Sequence, residues 1–404
     1  MKLIGLRHFD HEPRVTTQVT RFDSGVNEGV RFSRNSRIAE TVGRAEHGFK
    51  TGKNDWHVSL ERAYNSLDQR GTLFVLDDDG EFAEIAFPEG TGKVQEVRYE
   101  GIGTWSRPLS ARFDVQVAAG GEMSTLERVD GDLPARKFFR PKGSITLGWR
   151  PARGWDASLK LRRRVGQISF YDFLSQPNLS QDRENSGNPD LVPPQSWEIE
   201  TEVGRELGAW GKARLKLYAH RIDDIIDIIP IGEDQQGVGN LPRATRVGAQ
   251  STSTLLFDPI GWTGAKIDVT VGVERTSVRD PLTGEKRAIS GTRDRWADIT
   301  LRHDVPGSKI AWGGGLSHDH FSKHYFLTEV FRRWEGPLWA NLFVEHKDLF
   351  GLTVRATAGN LLNARHRRDR VVYDGRRNTD PVLFFQKNNQ LIGPIFSLSV
   401  KGTF

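Results

Sequence analysis

The chain has 404 residues with 57 basic and 52 acidic side chains, a net charge of +5, no cysteine and a hydrophobic fraction of 37%. Without thiols there is no disulfide framework, thiolate metal site or cysteine nucleophile, and so mild a charge gives no reason to expect a nucleic-acid partner. No stretch approaches the ~18 uninterrupted apolar residues of a membrane helix; the densest run, Ile225 to Ile231, is broken by Asp227 and Pro230.

A transmembrane β-barrel is still compatible with a mean hydropathy of −0.52, because its strands alternate between lipid and lumen and half of each is polar. The 42 glycines, 11 tryptophans and 22 phenylalanines suit many strands, many turns and a demand for interfacial aromatics. The first residues, MKLIGLRHFDHEPRV, have neither a continuous apolar core nor a small-residue cleavage site. They do not read as a signal peptide, and for an exported protein the expectation is a natural start further upstream.

Along the chain, Phe113, Val115 and Val117 alternate with Arg112, Asp114 and Gln116. Ala213, Leu215, Leu217 and Ala219 alternate with Lys212, Arg214, Lys216 and Tyr218, and Ala265 to Val273 repeats the pattern. This is a period of two with one apolar and one charged face. Short turns are expected at Ser106–Leu109, Ala152–Gly154, Gly208–Gly211, Pro259–Gly264 and Val305–Ser308. Long polar connections are expected at Asp77–Gly92, Leu174–Pro194, Ile229–Pro242, Val278–Gly291 and Arg365–Gln390. Short turns at one rim and long loops at the other are the outer-membrane pattern. Trp56, Trp105, Trp149, Trp155, Trp210, Trp262, Trp312 and Trp339 lie near short turns, whereas Trp197, Trp296 and Trp334 lie where strands re-enter after long loops. That placement predicts two interfacial girdles. The fold class read from these features is all-β, a transmembrane antiparallel β-barrel of roughly 16 strands, with residues 1–404 as one barrel domain and no plug.

Several groups could carry chemistry. Glu198, Glu200 and Glu202 face the same side as Lys212, Arg214 and Lys216 across a turn, which predicts a cross-strand charge ladder. It would either line a solute path or balance charge in a wet lumen. His318, His320 and His324 form a metal-ligand candidate, since His-x-His puts two imidazoles on one face of a strand. Arg365, Arg367, Arg368, Arg370, Arg376 and Arg377 form a basic cluster able to bind an anionic ligand or lipopolysaccharide phosphates. Asp77–Asp79 and Asp223, Asp224 and Asp227 lack the spaced calcium-loop pattern, and the glycines at 101–103 and 313–315 read as bends in the wall. No catalytic arrangement is found; the expectation is a non-enzyme without a cofactor.

The final strand, GPIFSLSVKGTF, places Phe396, Leu398, Val400 and Phe404 toward lipid. A terminal aromatic on such a strand resembles the signal read by the barrel-assembly machinery. Upstream, AGNLLNARHRRDRVVYDGRR (358–377), NPDLVPPQSWEIETEVG (188–204) and LKLYAHRIDDIIDIIP (215–230) resemble segments of TonB-dependent outer-membrane receptors. These are the Asn-Leu-hydrophobic-Asn strand end, the Asn-x-x-Leu-x-Pro entry to a Glu-rich strand, and the Asp-x-Ile exit of the strand after it. The resemblance spans the barrel portion along essentially the whole chain.

That resemblance implies part of a 22-strand barrel in the outer membrane of a Gram-negative bacterium, taking up a ferric siderophore, a vitamin or an oligosaccharide. Signal peptide, TonB box and plug have no counterpart here, so TonB would act only through a missing N-terminal region. Outer-membrane lipid, lipopolysaccharide and the barrel-assembly machinery are the other expected partners. A free-standing porin-like pore and a soluble secreted carbohydrate-binding β protein are the alternatives.

Overall fold

Period-two sequence becomes an antiparallel meander. The computed structural model describes the chain apart from residues 24, 131–133, 180–182, 234, 337 and 403–404. Its strands in order are β1 (Lys2–Thr20), β2 (Glu28–Thr51), β3 (Asn54–Leu76), β4 (Phe82–Ile85), β5 (Gly92–Pro108), β6 (Phe113–Arg128), β7 (Arg136–Trp149) and β8 (Trp155–Val165). Then come β9 (Gln176–Asn178), β10 (Arg183–Ser186), β11 (Gln195–Glu206), β12 (Gly211–Ile231), β13 (Gln235–Leu256), β14 (Ala265–Arg279), β15 (Lys286–Arg287) and β16 (Arg293–Asp304). The last are β17 (Ile310–Phe321), β18 (His324–Tyr325), β19 (Glu329–Gly336), β20 (Trp339–Leu349), β21 (Leu352–Gly359), β22 (Arg365–Tyr373), β23 (Val382–Leu391) and β24 (Ile395–Lys401).

The wall consists of β1, β2, β3, β5, β6, β7, β8, β11, β12, β13, β14, β16, β17, β20, β21 and β24, each antiparallel to the next. These sixteen strands match the number expected from the turns. Among the described residues β1 pairs only with β2 and β24 only with β21, so the wall sheet is open between its first and last strands. β4, β9, β10 and β15 belong to the loops, and β18, β19, β22 and β23 make a second sheet of four strands at the loop end.

Exposure assigns the two faces. Leu159, Leu161, Ile199, Leu215, Leu217, Val247, Val271 and Val273 are all exposed on the outside, while the residues between them carry the lumen's charges. At the short-turn rim Phe49, Trp56 and Trp105 follow one another at 6.2 and 6.4 Å, and Trp262 lies 6.3 Å from Trp312. Phe113 stacks on Trp149 at 6.0 Å. Trp339 begins β20 opposite Ser317, toward the long-loop end of the wall and away from the short turn at 349–352, but most of the girdle expected at the short-turn rim is present. At the other rim only part of it is: Trp197 faces outward and exposed, but Trp296 covers the Cα of its cross-strand partner Gly272, where the missing side chain leaves room for the indole.

Two of the expected loops are strands. β12 and β13 run on to Ile231 and Gln235, because the β-branched run of isoleucines favours extended backbone and the chain reverses at Gly232 (φ 63°). Arg365–Gln390 contains β22 and β23, since Arg368 and Arg370 of β22 find a buried acid, Glu329 of β19, at 3.9 and 2.9 Å.

In the last strand Phe396, Leu398 and Val400 point outward and lie exposed, paired with Ala358, Ala356 and Val354, as the alternation requires. Phe404 lies outside the described residues.

Candidate functional site

The lumen wall is lined by charged residues that meet both along and across strands. On the β2–β7 side Arg44 meets Glu46 at 2.8 Å, Arg98 meets Glu61 at 2.8 Å, and Lys142 bridges Glu100 and Glu122. On the β16–β20 side Arg302 reaches Glu345 at 2.7 Å and Asp304 at 2.9 Å, and Lys347 reaches Asp304 at 2.6 Å. The ladder expected between β11 and β12 exists but is offset. Glu202 pairs in register with Lys216, and Glu200 with Tyr218, yet Arg214 bonds Glu202 at 2.8 Å and Lys216 bonds Glu200 at 3.2 Å. Each cation leans diagonally by two residues, a reach open to long side chains. Lys212 stands opposite Glu206.

The register also brings His220 opposite Glu198, and the ligand atoms of Glu198, Glu200 and His220 lie within 4.8 Å of one another. Sequence reasoning had the two glutamates but not the histidine, which the strand register alone supplies. Both carboxylates already carry cations: Arg162 donates to Glu198 from Nε at 2.8 Å, and Lys216 holds Glu200. A divalent ion would have to displace them, so the arrangement favours charge balance over metal binding.

At the outer rim the β8–β11 connection folds inward. Phe173 and Leu191 pack on the lumen-facing Val94 and Leu126. Arg136 donates to the carbonyls of Pro189 and Leu191, both at 2.8 Å, Asn188 donates to Val238 O at 3.0 Å, and Tyr171 donates to Glu12 at 3.1 Å. The Asn-x-x-Leu-x-Pro motif thus gains a physical role: its Asn ties the loop to β13 and its Leu is buried in the cluster. Burial pushes the Asp172 carboxyl up to about 6. Beneath the loop lies a cavity of about 280 Å³ bordered by His8, Glu40, Asn65, Glu96, Gln167 and Tyr171. His8, Glu40, Asn65 and Glu96 are successive partners in one cross-strand row.

The six arginines of the basic cluster are not gathered in one place. Arg365 and Arg367 alternate with Arg368 and Arg370 and take the opposite face of β22. Arg376 donates to the backbone carbonyls of Gly232 and Glu233 at the β12–β13 tip. Arg377 donates to Phe326 O at 2.9 Å and to Asp280. The latter joins a buried network in which Arg287 reaches Asp280 at 2.6 Å and Asp227 at 2.9 Å. Burial alone would raise the Asp280 carboxyl, but hydrogen bonds from Arg377, the Thr283 amide and Arg287 outweigh it and pull it down to about 2.

Nor do the three histidines converge. His320 has Asp294 at 2.6 Å from Nδ1 and receives Arg332 at 3.0 Å on Nε2, so both ring nitrogens are engaged. His324 stacks on Phe331 at 4.6 Å.

No protein-family model matches the chain, and no curated protein matches it. Solved structures do. The copper transporter OprC is similar over 98% of this chain and 65% of its own, with TM-score 0.64 at 11% identity. The ferric yersiniabactin uptake receptor FyuA from Yersinia pestis is similar over 99% and 58%, with TM-score 0.61 at 14% identity. FpvA of P. aeruginosa, bound to heterologous pyoverdines, is similar over 98% and 53%, with TM-score 0.61 at 8% identity. The chain therefore spans between about half and two thirds of these receptors' length. Its sixteen-strand antiparallel wall, with charges inside, aliphatics outside and long loops at one rim, shares its fold with these solved transport proteins.

Proposed function

We propose that the chain forms the barrel portion of an outer-membrane receptor for TonB-dependent uptake of a scarce ligand, a ferric siderophore, a vitamin or an oligosaccharide. The observation that carries this reading is the mouth. The β8–β11 loop folds inward onto the lumen-facing Val94 and Leu126, held by Arg136, Asn188 and Tyr171, which supports a mouth built to hold a ligand. The free edges of β1 and β24 support a place within a larger barrel of the 22-strand class, because unpaired backbone in lipid costs several kcal/mol per group.

The test is genetic and physical together. In the source bacterium the gene is deleted, and uptake of labelled siderophores, cobalamin and oligosaccharides is followed with and without TonB. Loss of uptake of one ligand class, TonB-dependent and restored by the gene, is the expected result. Unchanged uptake of every class, with a steady single-channel conductance from the purified protein, would replace the receptor reading with a pore.

A further inference from the structure

The cavity beneath the β8–β11 loop differs in charge from the rest of the lumen. Its floor is the cross-strand row of His8, Glu40, Asn65 and Glu96 on β1, β2, β3 and β5, and Gln167, Ser169 and Tyr171 of the loop cover it. Ile38, Leu67, Ile168 and Phe170 supply apolar walls. Among the described residues that border it there is neither lysine nor arginine. Toward the short-turn rim on the same face, Glu61, Glu100 and Glu122 each hold an arginine or a lysine. Among the described residues Glu40 and Glu96 hold none. Arg98 is taken by Glu61 at 2.8 Å, and Arg34 by Glu12 at 3.6 Å, with its guanidinium 4.7 Å from the Tyr171 ring.

Asn65 Nδ2 donates to Glu96 Oε2 at 3.4 Å. An ionised carboxylate only accepts, so this bond sets the amide with its nitrogen toward Glu96 and leaves the Asn65 carbonyl oxygen as an acceptor. Glu40, Asn65 and Glu96 thus offer three acceptors in one row, with two strand spacings of about 4.8 Å each between the outer two backbones. A primary ammonium group has three donors and no acceptor. Two carboxylates facing a sheltered space with apolar walls gain most from a cation that brings hydrogen bonds as well as charge. A bare metal ion needs its ligand atoms drawn close together, and among the described residues only Glu198, Glu200 and His220 gather theirs within 4.8 Å.

We propose that this cavity binds a small organic cation through a primary ammonium group, with its carbon body against Ile38, Leu67, Ile168 and Phe170. The inference rests on the receptor reading above and narrows its ligand to one that carries a protonated amine. An anionic ferric chelate would meet two uncompensated carboxylates there, a like-charge approach that costs affinity. The volume of about 280 Å³ lies just below the ~300–1,000 Å³ of sites for drug-sized ligands, so the cavity takes a single ring or a short chain.

The experiment uses the full chain folded in nonionic detergent micelles, titrated calorimetrically with cyclohexylamine, cyclohexyltrimethylammonium, cyclohexanol and cyclohexanecarboxylate. These share one ring and differ in charge and donors, so the series on the wild-type chain tests the site without any substitution. Cyclohexylamine should bind at least about tenfold more tightly than the alcohol or the trimethylammonium ion, and the carboxylate should not bind. Glu40→Gln/Glu96→Gln should weaken amine binding by at least about tenfold. Asp78→Asn/Asp79→Asn, an equal charge change on an exposed turn of the same mouth, should change it by less than about twofold, because salt screens exposed charges. Heat-modifiable migration confirms that both variants fold. Cyclohexanol binding as tightly as the amine would overturn the cation assignment, and equal binding of the trimethylammonium ion would overturn the row of three acceptors. Equal loss in both variants would reduce the effect to the general field of the mouth. No amine binding to the folded wild-type chain would sink the site and leave the receptor reading standing. Amine binding by a chain whose deletion leaves every TonB-dependent uptake unchanged would keep the site and remove that reading.

Discussion

Arg377 in the last long connection donates to the carboxylate of Asp280 beyond the outer end of β14, joining residues 97 apart in sequence. Arg287 and Asp227 complete the network, and all four side chains are nearly buried, at 8%, 2%, 5% and 5% exposure respectively. Removing one member leaves an uncompensated buried charge, which costs about 3–5 kcal/mol. Arg377→Ala should therefore release the segment around 374–381 while leaving the wall folded. Protease nicking of intact vesicles reads it: cleavage confined to that segment is expected, and wild-type resistance would refute the latch.

The same network sets a pH window. Asp280 is held at about 2, below its ordinary value of 3.8, so its contribution is fully present above about 4 and is lost as pH falls through 2. Hydrogen exchange at 374–381, corrected for intrinsic rate, should be flat from pH 7 to 5 and rise below 4. A loss of protection already at pH 6 would contradict the assignment.

Asp172 works the other way. Its carboxyl is raised from 3.8 to about 6 by burial, so ionisation opposes the inward-folded loop. The loop is most firmly seated in acid and loosens as pH rises from about 4 to 6. Asp172→Asn should remove this dependence. Exchange rates across residues 168–175 that follow the same curve in both proteins would show another group to be responsible.

Gly272 stands opposite Trp296, and a Cβ there would overlap the indole. Gly272→Val forces the ring away and should cost about 1–3 kcal/mol by overpacking, seen as a lower temperature of heat-modifiable unfolding. Adding Trp296→Ala should recover part of the loss, because the two changes share one space.

The assignment of faces is tested on neighbouring residues of β12. Leu217 is exposed on the outer face and Lys216 faces the lumen. Leu217→Arg should destabilise the barrel by about 2–4 kcal/mol near the bilayer midplane, and Lys216→Gln by far less. Similar losses at both positions, measured by urea unfolding in vesicles, would undo the alternation.

The wall was legible because alternation is local: Leu215 and Leu217 announce their face without reference to any neighbour. Short turns were legible through their glycines. What sequence alone could not provide was register. That Arg214 leans back to Glu202 rather than bonding straight across, or that His220 meets Glu198, depends on pairing between strands. The arginine cluster was misjudged as one surface because contiguous residues on a strand diverge by face, and because Arg376 and Arg377 are claimed by distant carbonyls and by Asp280. The tryptophan at 296 followed the same rule: a partner without a side chain drew it inward.

The Asn-Leu-Leu-Asn motif gains its meaning at the break between the two sheets. Asn360 takes a left-handed φ of 53° and is fully buried, with its side chain holding Ala364 N at 2.6 Å and Gly393 O at 2.9 Å. Above it, β19, β22 and β23 form their own hydrogen-bonded ladder, separate from β20, β21 and β24 below. The loop-end sheet and the wall are thus two hydrogen-bonded ladders that meet at one buried asparagine. A change at Asn360 therefore reaches both ladders at once, through Ala364 on the way into β22 and through Gly393 on the way into β24.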